Sequence, residues 1–411
     1  MKKYFKKFWY LVLLAGLLLA FLVYQIPSLH SRLSWRLDNA WIYIQSVFSP
    51  VEAAPLPSVT EAAALPATTT PTRIPSPTAT VQVSPTPLPT ATPIPGQVQL
   101  PAPALEYEDV NNCGPATLAM ALRFYGWEGD QHTINEVIKT QAGDKNVNVD
   151  ELVYYALNNA GWLKTEYRVG GNIDLLRQLI AAGIPVTIEE AFATDKQYWV
   201  GDDQWAGHYI LLTGYDDAAR TFITQDSQLG ADRNVAYEKL DADWQAFNRV
   251  FVLIYRPDQQ PIVQGILGAD WDVDANRANA MEAAQKETET DPNNAFAWFN
   301  LGTNLVYFDR YAEAAQAFDK AREIGLPQRM LRYQFGPFIA YFQLNRNEDL
   351  LALTEYALQI TSVSEEALMW RAWALYRAGD SAAAIDALNK ALEIHPGYSD
   401  AEYALQFIQN N

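Results

Sequence analysis

The chain has 411 residues, 49% of them hydrophobic, and a formal net charge of -18. Such an acidic balance excludes nucleic acid as a partner class and supplies no basic exterior face for acidic polymers. A single cysteine rules out an intramolecular disulfide, and the absence of a cysteine-histidine cluster or a glycine-rich phosphate loop predicts neither a metal nor any other cofactor.

The N-terminus, Met1-Lys2-Lys3-Tyr4-Phe5-Lys6-Lys7, is basic, and Phe8 to Ile26 is an almost unbroken apolar run of 19 residues. That length suffices to cross a hydrocarbon core of about 30 Å. Lysines before the run and few after it place the N-terminus in the cytoplasm and export the remainder. Bulky Val23-Tyr24-Gln25-Ile26 offers no small-residue cleavage site, favouring an uncleaved anchor over a signal peptide. Residues 1–26 are therefore expected to be a basic end and a transmembrane helix. The chain would be a single-pass cell-membrane protein with extracytoplasmic domains.

Residues 27–54 form a juxtamembrane segment in which Leu33, Trp35, Leu37, Trp41, Ile42, Ile44 and Phe48 lie beside Arg32 and Arg36. This pattern fits a short amphipathic helix on the outer leaflet or an ordinary helix packed on the rest of the protein. From 55 to 103 the chain is dominated by Pro, Thr, Ala, Ser and Val. That composition cannot build a core and predicts an extended, partly polyproline II stalk.

Asn111-Asn112-Cys113-Gly114-Pro115 then runs into the apolar Ala116-Thr117-Leu118-Ala119-Met120-Ala121-Leu122, which places the only cysteine at the start of a helix. Free backbone N–H groups and the positive end of the helix dipole favour thiolate there. Pro115 suits the first turn, and Gly114 leaves room for a substrate to approach. The same residue is also at home as a small buried hydrophobe. Of the four histidines, His30, His132, His208 and His395, only His208 stands in a context suited to act as a base. Ala206-Gly207-His208-Tyr209-Ile210-Leu211-Leu212 opens a core strand closed by the turn Asp216-Asp217-Ala218-Ala219. Thr221 to Ser227 reads as its antiparallel partner, which returns Asp226 to the neighbourhood of His208. A carboxylate there orients the imidazole. Taken singly, His208 also reads as a satisfied core histidine and Asp226 as a turn residue.

Residues from about Leu105 to Pro257 resemble a C39-like peptidase domain, a branch of the papain-like cysteine peptidases, through NNCGPATLAM, AGHYILLTGYDD and ITQDS. The resemblance implies an α+β papain-like fold over 104–258, with Cys113 as nucleophile, His208 as general base and acid, and Asp226 as orienting residue. Such peptidases place an oxyanion-stabilising glutamine five or six residues before the cysteine, where this chain holds Glu108 and Tyr107. An ionised carboxylate cannot donate a hydrogen bond. The oxyanion donor would then be a protonated Glu108, Tyr107 or a backbone amide, while Asn111 and Asn112 shape the turn or lend a donor.

Beyond Pro257 the pattern is helical. Trp298, Leu301, Gly302, Ala314, Phe318 and Ala321, and again Ala372, Gly379, Asp380, Ala384, Leu388, Ala391 and Pro396, are similar to tetratricopeptide repeats. Residues 259–411 are expected to form an all-α solenoid of about three repeats, the stretch from Gln328 to about Ser364 being worn by a small insertion. The expected function is hydrolysis of peptide or related amide bonds in a peptide or protein substrate, with a protein partner on the repeats. The alternative is a non-catalytic peptide-binding scaffold.

Overall fold

The structure is a computed structural model that describes residues 40–58, 94–139 and 146–410. Among the described residues no helix is long and apolar enough to cross a membrane. The expected transmembrane helix and the single-pass membrane localisation are accordingly corrected, and the run 8–26 on which they rested lies outside the described residues.

The first part is a seven-stranded antiparallel sheet with helices on both faces. Its strands are β1 (Gln97–Gln99), β2 (Lys164–Arg168), β3 (Val186–Ala193), β4 (Trp205–Asp216), β5 (Thr221–Asp226), β6 (Gly230–Ala236) and β7 (Phe251–Tyr255). Their order is β2-β7-β3-β4-β5-β6, with β1 paired to the end of β4. β1 lies within the segment read as stalk. The helices are α1 (Cys113–Arg123), α2 (Gln131–Ile138), α3 (Val149–Asn159), α4 (Ile173–Ala181) and α5 (Tyr237–Gln245).

Strand alternation divides the core between the two faces. Tyr209 and Leu211 of β4 pack with Leu118, Met120 and Leu122 of α1. Ile210 and Leu212 face the other way, against Leu176 and Ile180 of α4 and Trp244 of α5. The β4–β5 hairpin pairs Asp216 with Thr221 and Leu211 with Gln225. Asp216 Oδ1 accepts from the backbone N–H groups of Ala218 and Ala219, which closes the turn as an Asx motif.

The second part is helical: α6 (Gln260–Leu267), α7 (Val273–Thr290), α8 (Ala295–Tyr307), α9 (Tyr311–Ile324), α10 (Met330–Tyr333), α11 (Gly336–Gln343), α12 (Asn347–Ile360), α13 (Glu365–Arg377), α14 (Ser381–Ile394) and α15 (Ser399–Asn410). The helices pair as repeats do, α8 with α9, α11 with α12 and α13 with α14. The one-turn α10 lies between these pairs, within the stretch expected to be worn.

The repeats are seated on the peptidase-like part. Asn248 and Asn304 exchange reciprocal amide hydrogen bonds of 2.9 and 3.2 Å in a buried position. Trp205 of β4 stacks on Phe247 with ring centroids 5.6 Å apart and meets Tyr333 of α10 edge-on at 5.9 Å. Arg329, just before α10, makes a buried bidentate pair with Asp202, both contacts 2.6 Å. Residues 40–58 lie against the same assembly, with Ile42, Val51 and Ala54 packed on the repeat core.

Glycines in the repeats mark close approaches. A Cβ at Gly302 would lie 2.6 Å from the buried ring of Phe318, so the ring and the α8 backbone would have to part. Gly302→Ala is expected to cost about 1–3 kcal/mol, seen as a lower urea midpoint at unchanged slope; an unaltered midpoint would refute the packing account.

Candidate active site

Cys113 is the first residue of α1, half-buried at the mouth of a cleft of about 420 Å³. The turn before it is built from two asparagines in different roles. Asn111 takes the left-handed conformation, φ 57°, which asparagine tolerates better than most residues. Its side-chain oxygen accepts from Arg332 Nη2 at 3.1 Å, and its carbonyl accepts from Lys139 Nζ. Asn112 is buried and donates to Gln131 Oε1 at 2.6 Å, so that donor is committed away from the cleft. Gln131 Oε1 also accepts from the Asp109 amide at 2.8 Å, while Gln131 Nε2 donates to the Tyr107 carbonyl at 2.9 Å. Gln131 thus knits the loop that delivers Glu108 to the turn before Cys113.

Gly114 lines the cleft beside Cys113 and also permits a close approach of helix and strand. A Cβ there would lie 3.3 Å from the Tyr209 ring, so the glycine lets α1 settle on β4. Thr117 Oγ1 adds a 2.9 Å hydrogen bond to the Tyr209 carbonyl. Helix and strand are therefore locked together one residue from His208.

His208 is 2% exposed. Its Nε2 stands 3.0 Å from Asp226 Oδ1 and its Nδ1 3.8 Å from Glu108 Oε2. Cys113 Sγ, a His208 ring nitrogen and a Glu108 oxygen all lie within 4.8 Å of one another. The imidazole therefore stands between a carboxylate on Nε2 and the sulfur and second carboxylate on its other side. Burial disfavours its charged form, but hydrogen bonds to Asp226 and Cys113, with the nearby negative groups, outweigh it and raise the pKa well above 6.5. Asp226 ends β5, and its Oδ1 also accepts from the amides of Gln228 at 2.8 Å and Leu229 at 3.0 Å. Burial pushes this carboxyl up, yet the His208 hydrogen bond and charge and the two amides hold it below the usual carboxylate range.

Glu108 is fastened to the turn after β5: its amide donates to the Ser227 carbonyl at 3.0 Å, and Ser227 Oγ donates to its Oε2 at 2.7 Å. Burial is the largest influence and pushes its carboxyl up, against the opposing pull of His208 and Ser227. Tyr107 stands exposed on the cleft rim. Of the residues singled out in the sequence, Cys113, His208, Asp226 and Glu108 converge; Tyr107 borders them, and the Asn112 side chain does not face them. His132 pairs with Asp109 at 3.8 Å and His395 with Glu365 at 3.4 Å.

Several cleft residues escaped the sequence reading. Glu189 of β3 is buried there, its carboxyl pushed by burial up to about 8. Arg332 and Tyr333 of α10 supply part of the opposite wall. Only pairing and docking reveal them, because neither carries a motif. Glu108, Cys113 and His208 also present a carboxylate, sulfur and imidazole donor set close enough to bridge a soft divalent ion.

Residues 92–252 match the model of the Peptidase_C39 like family, and residues 365–398 match the tetratricopeptide repeat. No curated protein matches the chain. Among solved structures, a C39-like peptidase from Bacillus anthracis is 19% identical, covering 39% of this chain and 98% of its own, with a TM-score of 0.32. The peptidase domain of Streptococcus ComA, a bi-functional ABC transporter, is 16% identical over 37% of this chain and 96% of its own, TM-score 0.29. YrrB, a tetratricopeptide-repeat protein with a peptide-binding site, is 21% identical over 36% and 74%, TM-score 0.30. Scores this low carry no weight for fold or function, and the assignment rests on the family models. Residues 92–252 thus carry a C39-like peptidase domain and residues 365–398 a tetratricopeptide repeat.

Proposed function

We propose that the chain is a cysteine peptidase that hydrolyses peptide or related amide bonds with Cys113, His208 and Asp226, and that its repeats engage a protein partner. The observation that supports this most is the buried imidazole held between the Asp226 carboxylate and the Cys113 sulfur. In this reading the thiol proton rests on His208, giving a thiolate beside an imidazolium. The thiolate attacks the substrate carbonyl carbon and the π electrons pass to its oxygen. When the tetrahedral adduct collapses, the C–N bond breaks and His208 gives its proton to the departing nitrogen, leaving a thioester. Water then adds to the thioester as His208 takes its proton; the C–S bond breaks, releasing a carboxylic acid and restoring the pair. Asp226 keeps the ring oriented and stabilises its charged form.

Glu108 occupies the position where the family resemblance places a glutamine. In its protonated form it donates a hydrogen bond to the developing oxyanion, a task its raised pKa favours and an ionised carboxylate cannot perform. The same feature favours a second reading, a peptide-binding scaffold without turnover, because an ionised Glu108 near the sulfur opposes an oxyanion.

Hydrolysis of a broad peptide library should fall at least about 10³-fold in Cys113→Ala. Equal peptide binding by both proteins with no cleavage by either would establish the scaffold instead. Iodoacetamide alkylation of the single cysteine, followed by intact mass across pH, should be fast at neutral pH in the wild type and collapse in His208→Ala.

The hydrogen bond to Asp226 is the leading influence that raises the His208 pKa, and replacing the carboxylate by a neutral amide weakens it, so the imidazolium should lose its proton at lower pH. The alkaline limb of the pH–rate profile in Asp226→Asn is therefore expected to move towards acid; a limb that stays in place would remove Asp226 from this role. Glu108→Gln should retain or raise activity. A drop of about 10²-fold or more would mean that the carboxyl group itself is required.

A further inference from the structure

Residues 53–58, Ala53-Ala54-Pro55-Leu56-Pro57-Ser58, form neither helix nor strand and lie on the repeats, far in sequence from the residues they touch. Their polar partners are buried charges. Arg322 of α9 is 2% exposed and gives both Nε and Nη2 to the Pro55 carbonyl, at 3.0 and 2.7 Å. Its Nη1 donates to Asp349 of α12 at 2.9 Å and to the Tyr341 hydroxyl of α11 at 3.0 Å. Asp349, also 2% exposed, accepts from the Ser58 amide at 3.0 Å and from Ser58 Oγ at 2.6 Å.

The chemistry is that of recognising a peptide in one conformation. A planar guanidinium grips a main-chain carbonyl, and three residues later a carboxylate grips a main-chain N–H together with a hydroxyl. Between these anchors Leu56 is exposed, whereas Ala54, just before them, is buried on the repeat core. Pro55 and Pro57 have no N–H to satisfy and favour the extended backbone that spans the two anchors. Without an occupant, Arg322 and Asp349 would lose three of the partners that compensate their burial. Pro-Leu followed by Pro and a hydroxyl residue recurs in the sequence as Pro87-Leu88-Pro89-Thr90.

We propose that the repeats carry a binding site, centred on Arg322 and Asp349, for an extended peptide of the pattern small residue, Pro, any residue, Pro, Ser or Thr, and that residues 53–58 are its resident ligand. The site is independent of the catalytic reading. The resident segment competes with any such peptide supplied by a partner, so the affinity seen from outside is reduced by the fraction of time the site is filled from within.

The test uses the full chain and a fluorescently labelled peptide with the sequence of residues 51–60. The peptide should bind the double variant Ala54→Arg, Ser58→Val, whose own segment is ejected, at least about tenfold more tightly than it binds the wild type. A peptide carrying Val in place of Ser58 should lose at least about tenfold in affinity for that double variant. Equal binding to both chains, or none to either, would overturn the proposal. Should the double variant fail to fold, amide hydrogen exchange at Ser58 in the wild type decides: protection supports the site, and exchange at the rate of an open peptide refutes it.

Discussion

A histidine buried on the floor of a protein can hold a proton only if the charge is compensated where it stands. Everything around His208 meets that demand. Asp226 faces one nitrogen and the sulfur and Glu108 face the other, and each of these groups is fixed by something local. The Asp226 carboxylate is held by the amides of its own turn, Glu108 by Ser227 across that turn, and Cys113 by a helix that a glycine allows to rest on the strand. One hairpin end therefore positions both carboxylates. This concentration accounts for a glutamate beside the sulfur: the hairpin that binds it also buries it, and burial favours its neutral form.

The repeats are more than an appendage behind this site. Gly207, next to His208, has no side chain because a Cβ there would lie 2.6 Å from Phe247 and 3.3 Å from Tyr333. The strand bearing His208 thus touches, through two aromatic rings, the short α10 between repeat helices. Arg332 of α10 reaches the Asn111 side chain in the turn before Cys113. The surroundings of both His208 and Cys113 depend on the way the helical array is seated.

The sequence disclosed what depends on local periodicity and failed where contacts join distant segments. Asp226 was legible because a hairpin places residues at similar distances from its turn side by side, and the observed pairing of Leu211 with Gln225 leaves Asp226 within reach of His208. The tetratricopeptide repeat at 365–398 was legible because small and large residues recur at helical spacing. Gln131 and Glu189 were not, since a glutamine on a short helix and a buried glutamate in a strand carry no pattern before packing gives them partners. The stretch containing Arg332 read as a worn repeat; its departure from the consensus reflects contacts with the other domain. The contact of Gly114 with the Tyr209 ring was not legible either, because it joins segments distant in sequence.

The shared aromatic cluster of Trp205, Phe247, Phe296 and Tyr333 has a consequence for dissection. Two sequence families meet in this chain, yet a fragment ending after Tyr255 would bare a flat indole beside His208's own strand and leave the Asn248 amide without its reciprocal partner. Such a surface invites self-association. A boundary drawn from homology would therefore cut through a core, and a unit that keeps every residue lining the cleft must reach back to Ile42 and on through Thr361.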